Sequence, residues 1–202
     1  MNVENNYLIN NAFFIYFYNM SRKHKFHEKE GAYFISFATV FWIDIFTRME
    51  YFDILIEALK YCRKNKGMII FGYCIMPSHV HLIFRSEHGL PSELIRDFKS
   101  FTAKKLLQAI EENNQESRKE WLLWMFKKAG SQNSNVKKYQ FWQQNNKPIQ
   151  IWSLKVFEQK LNYVHQNPVE TGFVMEPWEW KYSSARNYCD DYEEVLEIDV
   201  NL

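Results

Sequence analysis

The chain has 202 residues, a length that suits one domain or one domain with appendages. Its hydrophobic content of 47%, with 18% aromatic residues, is ample for a core and excludes a disordered chain. The formal net charge of +1 excludes a polycation, so overall charge gives no support for nucleic-acid binding.

The first nineteen residues differ in character from the rest. An apolar run at 12–18 is shorter than the roughly 20 residues needed to cross a bilayer. No basic segment precedes it and no small-residue cleavage site follows, which argues against a signal peptide. Met20 opens a basic stretch. Our hypothesis is that translation begins at Met20 and that residues 1–19 are an extension, poorly ordered or not translated, ahead of a single domain at 20–202.

The first predicted elements are a strand, a helix and a hairpin. Residues 31–42 are aromatic and β-branched, which predicts a strand. Residues 49–64 carry apolar side chains at helical spacing, and Gly67 follows as a stop. Strands at 68–75 and 79–85, joined by a tight turn, predict an antiparallel hairpin.

The second half is predicted to be mainly helical. Pro91 and Ser92 begin one helix, and a second covers 117–129 and ends at Gly130. Ser153 caps a third helix at 154–166, which Pro168 ends. The remaining predictions are a polar loop at 131–135 and extended segments at 139–143, 148–152, 178–182 and 195–199.

The order of these elements predicts the fold. A β-α-β-β-α order is typical of an antiparallel sheet covered by helices on one face. We therefore expect an α+β fold of ferredoxin-like type. A helical, basic and aromatic insertion at 116–147 would be added to it.

Two histidines occupy alternate positions of the third predicted strand. Because side chains alternate along a strand, His79 and His81 share one face while Val80 and Leu82 point into the core. Two neutral imidazoles side by side can bind one divalent metal ion. The alternative is a pair of half-buried histidines bonded to the backbone, and for the pair considered alone that alternative is favoured.

A phenol and a carboxamide lie four residues apart near the end of the last helix. Tyr163 and Asn167 therefore share a helix face. An amide oxygen is a good ligand for a hard cation, and a phenol beside a metal can act as a nucleophile. The alternative is that Tyr163 packs on the core and Asn167 only ends the helix, and spacing alone favours it. His165, about 200° around the helix from Tyr163, should face away and be structural or contact substrate.

Three segments together resemble the REP-associated tyrosine transposases, single-tyrosine members of the HUH endonuclease superfamily. They are YCIMPSHVHLIF at 73–84, LNYVHQNPVETGFV at 161–174 and WKYSSA at 180–185. The resemblance covers roughly residues 20–187. It implies that His79 and His81 are metal ligands, that Tyr163 is the nucleophile forming a 5′-phosphotyrosine bond, and that Asn167 is the third ligand.

The resemblance also implies the ion, the substrate and the activity. The ion would be Mg²⁺ or Mn²⁺, and the substrate single-stranded DNA folded into an imperfect hairpin. The expected activity is a transposase that cuts and rejoins DNA as a monomer or homodimer. Two alternatives stay open: a domesticated hairpin-binding protein without transposition activity, and a metal-dependent hydrolase with Tyr163 as a bystander.

Positive charge is concentrated in the segment 117–147, which holds seven Lys or Arg residues and a single acid, Glu120. Interleaved aromatic residues favour a surface that stacks bases and neutralises phosphates, although a solvated charged face is the simpler alternative. The predicted DNA-binding residues are Arg118, Lys119, Lys127, Lys128, Lys137 and Lys138.

The cysteines give an indication of the cellular compartment. Cys62, Cys74 and Cys189 fall at no metal-like spacing and are odd in number. They indicate reduced thiols rather than a disulfide framework. We expect a cytoplasmic, nucleoid-associated bacterial protein with no membrane partner.

Overall fold

In a computed structural model of the chain, residues 26–136, 138–189 and 192–200 are described. The proposed start at Met20, the extension 1–19 and Lys137 lie outside these ranges. The strands are β1 Ala32–Ala38, β2 Met68–Ile75, β3 His79–Ser86 and β4 Ile149–Ile151. The helices are α1 Met49–Lys66, α2 Pro91–Glu112, α3 Lys119–Ser131 and α4 Leu154–Glu170, with short 3-10 turns at Val40–Trp42, Pro177–Glu179 and Ser184–Tyr188.

The four strands form one antiparallel sheet in the order β2-β3-β1-β4. The hairpin of β2 and β3 is present as predicted, and β1 pairs with β3 from Tyr33 opposite Phe84 to Ala38 opposite His79. The short β4 adds to the outer edge of β1. The α+β class and the antiparallel sheet predicted from the sequence are therefore confirmed.

Helices cover both faces of the sheet. The larger core includes Val80, Leu82 and Phe84 of β3 and lies under α1, α2 and α3. The opposite face carries Phe34 and Ile83, which are buried with side chains of α4. The expectation of helices on one face thus holds for three of the four. The strands are apolar on both faces, so the second face also needs a cover.

The first strand ends earlier than predicted. The extended backbone stops at Ala38, and Phe41 and Trp42 adopt left-handed conformations with φ of 57° and 55°. Such a backbone costs about 1–2 kcal/mol per residue for side chains other than glycine. Thr39 holds the turn in place, because its backbone N–H donates to the Ser78 carbonyl at 2.9 Å and its hydroxyl donates to the Ile43 carbonyl at 2.8 Å.

Two glycines that were both predicted to end helices have different roles. Gly67 ends α1 as expected, with a left-handed φ of 64°. Gly130 does not end α3, which continues to Ser131. A Cβ at Gly130 would overlap the carbonyl oxygen of Lys138, so this glycine permits a close approach of two backbone segments.

The last helix is longer than predicted. Ser153 caps α4 as expected, since its Oγ accepts a hydrogen bond from the Val156 N–H at 3.3 Å. Pro168 does not end the helix, which runs to Glu170. Proline removes one backbone hydrogen-bond donor from the helix. The last turn of α4 still closes, because the Thr171 N–H donates to the Asn167 carbonyl at 3.1 Å.

The segment after α4 follows the edge of β2 without forming a regular strand. A 3-10 turn at Pro177–Glu179 replaces part of the predicted extended piece. The Ile75 N–H donates to the Tyr182 carbonyl at 2.9 Å, and Cys74 forms an isolated bridge with Ser183. The predicted extended piece at 195–199 has no strand, although the Asp199 N–H donates to the Ile70 carbonyl at 2.7 Å.

Candidate metal and nucleophile site

The two histidines of β3 project from the sheet face that α4 covers. Their ring centroids are 4.8 Å apart, and the rings are almost perpendicular to each other. His81 is only 3% exposed, whereas His79 lies at the strand end and is half-buried. Strand geometry thus places both imidazoles side by side, with one edge open to solvent.

Helix α4 brings the phenol and the carboxamide to the same place. It packs through Phe157 and Val164 onto the second core. Gly72 lies under this helix, where the pairing of β2 with β3 shifts register and where a Cβ would lie 2.8 Å from Cδ1 of Leu161, so a larger residue would require that side chain to move. Gly72 was missed by the sequence analysis, because a lone glycine in a strand does not show which helix approaches it.

All four predicted residues of the site lie together. The ring centroid of Tyr163 is 5.1 Å from that of His81, and the side chain of Asn167 lies beside His79. Asn167 is buried, whereas Tyr163 is 41% exposed. A nucleophile must meet its substrate, so this combination of buried amide and accessible phenol suits the predicted roles.

Three polar atoms at this site are buried without a hydrogen-bond partner in the described part of the chain. They are Nδ1 and Nε2 of His81 and Oδ1 of Asn167. Leaving a buried polar group unpaired costs about 1–3 kcal/mol each. Imidazole nitrogen and amide oxygen are both electron-pair donors to divalent cations. One ring nitrogen of His81 and the Asn167 oxygen therefore fit a metal ion, which would satisfy both, while the other ring nitrogen carries the proton of the neutral imidazole.

Burial keeps both imidazoles neutral. Desolvation lowers the pKa of His79 to about 4, although the Asn167 side chain beside it raises the value. Burial lowers the pKa of His81 well below its usual range, with smaller contributions from His79 and from the positive charge of Lys160. Because a neutral imidazole keeps a lone pair for a metal, both rings are in the binding form near neutral pH.

Phe34 of β1 and Lys160 of α4 complete the surroundings of the site. The Phe34 ring stacks on His81 at 5.8 Å and meets Tyr163 edge-on at 5.9 Å. Nζ of Lys160 lies 5.2 Å from the centroid of the same ring. The sequence analysis found neither residue, because they come from elements whose relative position only the fold defines.

The phenol of Tyr163 is a weak nucleophile without assistance. Burial raises its pKa above the ordinary value of 10, and the negative charge of Glu170 adds to this. The side chain is therefore protonated near neutral pH. Attack by this oxygen requires the negative charge that develops at the phosphate to be offset nearby.

His165 faces away from Tyr163, as the helical angle predicts. Its Nε2 lies 2.9 Å from Oγ of Ser184, and that hydroxyl also accepts a hydrogen bond from the Tyr73 N–H at 2.8 Å. His165 also contacts the ring of Tyr188. These contacts connect α4 to β2 and to the segment beyond, which is a structural role.

The guanidinium of Arg118 is occupied by hydrogen bonds to other residues of the chain. Its guanidinium donates to Glu116, to the Asp44 carbonyl at 2.7 Å and to the Thr47 hydroxyl at 3.0 Å. Arg48 donates to the same Glu116 carboxylate at 3.2 Å. Burial raises the pKa of Glu116, but the bonds from Arg118 and Arg48 outweigh it and hold the value at about 2. Arg118 thus anchors the start of the insertion.

The predicted DNA-binding lysines are more available. Nζ of Lys128 lies 5.0 Å from the centroid of the exposed Trp124 ring, and that of Lys138 lies 4.7 Å from the Tyr139 ring. Such pairs present charge and an aromatic face together. The remaining predicted lysines are Lys119, which contacts Asn114, exposed Lys127, and Lys137, which lies outside the described residues.

The described residues contain no cluster of the usual metal-binding side chains and no helix suited to a membrane. Within 26–136, 138–189 and 192–200, no group of three or more His, Cys, Asp or Glu side chains could hold a metal ion. None of the described helices combines the length and apolarity that a membrane span requires.

Comparison with known proteins identifies the family. The family model described as "Transposase IS200 like" matches residues 44–143. The chain belongs to the IS200-like transposase family. The resemblance inferred from the sequence is thereby confirmed. The matched segment contains His79 and His81 of this IS200-like transposase and ends before α4, and it does not test the role of any site residue.

A solved structure shares the fold of this IS200-like transposase. A REP-associated tyrosine transposase bound to a REP hairpin matches 90% of this chain and 94% of its own, with a TM-score of 0.60 and 17% identity. At that identity the likeness shows the fold. A Deinococcus radiodurans R1 protein, provisionally described as a transposase, matches 71% of this chain and 95% of its own, with a TM-score of 0.42 and 14% identity. No curated protein matches the sequence.

Proposed function

We propose that this IS200-like transposase is a metal-dependent endonuclease and strand transferase acting on single-stranded hairpin DNA, with Tyr163 as nucleophile. One observation carries the proposal. Buried, unpaired polar atoms of His81 and Asn167, two side chains that each contact His79, lie beside a phenol that is accessible to substrate. A site with only a structural role would have those atoms hydrogen-bonded.

The residues that would hold the metal are His79, His81 and Asn167. Mixed imidazole and amide ligation is compatible with Mg²⁺ or Mn²⁺. When bound, such an ion polarises the phosphate and offsets the negative charge that develops on it. Phe34, stacked on His81, keeps water away from the buried side of the site.

The chemistry of the chain's own residues is a transesterification. The Tyr163 oxygen forms a bond to the scissile phosphorus while the bond from phosphorus to the 3′-oxygen breaks. The phenol loses its proton to solvent, and the departing 3′-oxygen takes one up to become a hydroxyl. Because the phosphotyrosine ester conserves the energy of the broken phosphodiester bond, the reverse reaction rejoins strands without a nucleotide cofactor.

Support for hairpin DNA as the substrate comes from the fold and from the basic surface. The structurally similar REP-associated tyrosine transposase is bound to a REP hairpin. In this chain, Lys127, Lys128 and Lys138 are exposed and two of them lie over aromatic rings. We therefore infer that the insertion contacts phosphates and unpaired bases. Arg118 contributes by anchoring the insertion rather than through a free charge.

The experiment is a cleavage assay on single-stranded hairpin DNA with Mg²⁺ or Mn²⁺, read on a denaturing gel that reveals protein–DNA adducts. The wild type should form a covalent adduct that Tyr163→Phe abolishes. Tyr61→Phe, an exposed tyrosine of α1, is the matched control and should form the adduct normally. Cutting that survives Tyr163→Phe would instead support a hydrolase, and binding without cutting would support the domesticated hairpin-binding protein.

Charge reversal tests the basic surface separately. A variant with glutamate in place of four lysines should bind DNA more weakly, and its binding should depend less on salt because fewer counterions are released. The replaced residues are Lys127, Lys128, Lys137 and Lys138. Unchanged affinity and salt dependence would remove these lysines from the proposed interface.

A further inference from the structure

A groove of about 470 Å³ opens between the turn after β1 and the segment that follows α3. Phe41 lines this groove, and the next residue, Trp42, contacts the His79 ring with centroids 5.5 Å apart. One lining residue of the groove, Phe41, is therefore the chain neighbour of a residue that contacts the candidate metal site. We call this groove the amide groove, because most of the side chains lining it are carboxamides. They are Gln132, Asn133, Gln140, Gln143, Gln144 and Asn145.

Part of this carboxamide set is fixed in place. Nδ2 of Asn133 donates to Oε1 of Gln140 at 2.9 Å, and Nε2 of Gln140 donates to the Trp142 carbonyl at 3.1 Å. Nε2 of Gln143 donates to the Thr39 carbonyl at 3.0 Å. These bonds connect the groove wall to the turn that follows β1. The wall is thus a preformed surface with defined donor and acceptor directions.

Other carboxamides of the groove are free to bind a ligand. The side chains of Gln144, Asn145 and Gln132 are exposed and make no hydrogen bond with the described residues. A carboxamide offers one acceptor and two donors and carries no charge. That combination matches the edges of nucleobases, to which Asn and Gln form paired hydrogen bonds. It is a poor match for phosphate, which forms stronger hydrogen bonds with charged donors than with neutral amides.

The ring of Phe41 lines the groove, and the ring of the next residue, Trp42, lies against His79. Phe41 and Trp42 are 47% and 51% exposed, and both residues are held in the left-handed region by the hydrogen bonds of Thr39. A backbone strained at two successive large residues persists only when its surroundings enforce it, and such strain concentrates at functional sites. Its effect here is to hold two aromatic faces outward, where they can stack on bases.

A lysine lies behind the groove wall. Nζ of Lys99 donates to the Gln143 carbonyl at 2.7 Å and to Oδ1 of Asn146 at 2.6 Å. Both acceptors are neutral, and burial lowers the pKa of Lys99 to about 7. The contribution of Lys99 to the groove is therefore to hold the segment carrying Gln143 in place through these two hydrogen bonds.

We propose that the amide groove binds the unpaired nucleotides next to the scissile phosphate. Phe41 and Trp42 stack on bases, and the carboxamides contact base edges. This inference rests on the proposed function, since it extends the DNA path away from His79. It goes beyond the proposed function by assigning the recognition of bases to the turn after β1 and to the segment after α3.

Equilibrium binding tests the stacking. The probes are a fluorescein-labelled single strand of thymidines and an abasic strand of equal length, and the protein carries Tyr163→Phe so that no chemistry intervenes. Trp42→Ala and Phe41→Ala should each weaken binding to the thymidine strand by roughly 5- to 100-fold, the range for loss of one stacked base. Both should leave binding to the abasic strand nearly unchanged. Trp42→Phe, which keeps a ring, should retain most of the affinity.

Controls exclude a folding defect. Tyr61→Ala removes an equally exposed aromatic residue from α1 and should change neither affinity. Far-ultraviolet circular dichroism and thermal unfolding should be the same for the Trp42 variants and the parent protein. Equal affinity of the parent for the two strands, absence of binding to both, or equal losses on both strands with Trp42→Ala would overturn the proposal.

Selection on hairpins with randomised unpaired flanks tests the carboxamides. Gln144→Ala and Asn145→Ala should change which bases are enriched in the flank, and unchanged enrichment would overturn their role. Failure of the groove and failure of the proposed function remain distinguishable. An adduct formed by wild-type protein without any effect of Trp42→Ala on binding rejects the groove alone. A base-dependent effect of Trp42→Ala without any adduct rejects the nuclease alone.

Discussion

The imidazole of His81 and the phenol of Tyr163 face each other across the junction of sheet and helix, with ring centroids 5.1 Å apart. One ring is buried on β3 and the other is exposed on α4, and Phe34 contacts both. The distance between them is therefore set by how α4 packs on the second face of the sheet. Any change in that packing moves the phenol relative to the imidazoles.

Replacing His81 with leucine separates metal binding from folding. The imidazole nitrogens have no partner in the described residues, so without metal the variant should be as stable as wild type or more stable by about 1 kcal/mol. Mn²⁺ should raise the melting temperature of wild type and not that of His81→Leu. Thermal unfolding with and without Mn²⁺ measures both effects.

His165 provides the matched comparison for that experiment. It is also largely buried, but Ser184 bonds its Nε2 at 2.9 Å. His165→Leu should lower stability by about 1–2 kcal/mol while keeping the response to Mn²⁺. If His81→Leu were the more destabilising change in the absence of metal, the interpretation of its nitrogens as metal ligands would be wrong.

Replacing Lys160 with methionine should slow adduct formation without loss of metal binding. Its ammonium lies over Phe34, whose ring contacts both His81 and Tyr163, and its charge acts on His81, so it can offset charge that develops during attack. We expect a decrease of about 10- to 100-fold in the single-turnover rate, in the range for loss of one stabilising cation or donor. Lys160→Arg should recover part of the rate. Lys155→Met, an exposed change on the same helix, should have no effect, and an equal loss there would contradict the assignment.

Replacing Glu116 with glutamine should flatten the acid side of the stability profile. The arginines that bond Glu116 lower its pKa from 4.5 to about 2, despite the opposing effect of burial. A lowered carboxyl pKa stabilises the fold above the unfolded value, and this contribution is lost as pH falls from about 4.5 to 2. Glu116→Gln should therefore lose about 3 kcal/mol at neutral pH and show a weaker pH dependence in that window.

Urea unfolding at several pH values measures the Glu116 effect. Asp97→Asn is the control, because Asp97 pairs with Lys66 at the surface, where ion pairs contribute little. A profile for Glu116→Gln parallel to that of wild type between pH 4.5 and 2 would show that another group causes the acid dependence.

Replacing Gly130 with alanine should destabilise the protein even though the residue lies in a helix. Alanine ordinarily favours a helix by about 1 kcal/mol over glycine. Here its Cβ would overlap the Lys138 carbonyl, and such overpacking costs about 1–3 kcal/mol. Gly172→Ala is the control, because nothing lies near that position and only its left-handed φ of 76° is unfavourable. A stabilised Gly130→Ala protein would contradict the close approach.

The sequence predicts the parts of this site that depend on local periodicity. Alternation along β3 places His79 and His81 on one face, and helical spacing places Tyr163 with Asn167. Both expectations agree with the geometry. The fold class also follows from the order of elements. The placement of each residue pair, and of each helix or strand in that order, is decided within a short stretch of the chain.

The missed features depend on contacts between distant segments. Phe41 and Trp42 have strong strand propensity, yet hydrogen bonds of Thr39 to the Ser78 and Ile43 carbonyls turn the chain there. Lys160 enters the site only because α4 covers the second face of the sheet. The low helix propensity of proline predicts that the helix ends at Pro168. Packing in the folded protein nevertheless supports a last helical turn that runs to Glu170.

The pairing of β3 with β1 constrains how this protein can change over generations. Ala38 faces His79 and Ser36 faces His81, while the residues between them point into the main core. Loss or gain of one codon within 79–84 would move the apolar side chains into the site and the imidazoles into the core at the same time. Single substitutions can silence the chemistry and leave a folded DNA-binding protein, whereas a change in length here removes both.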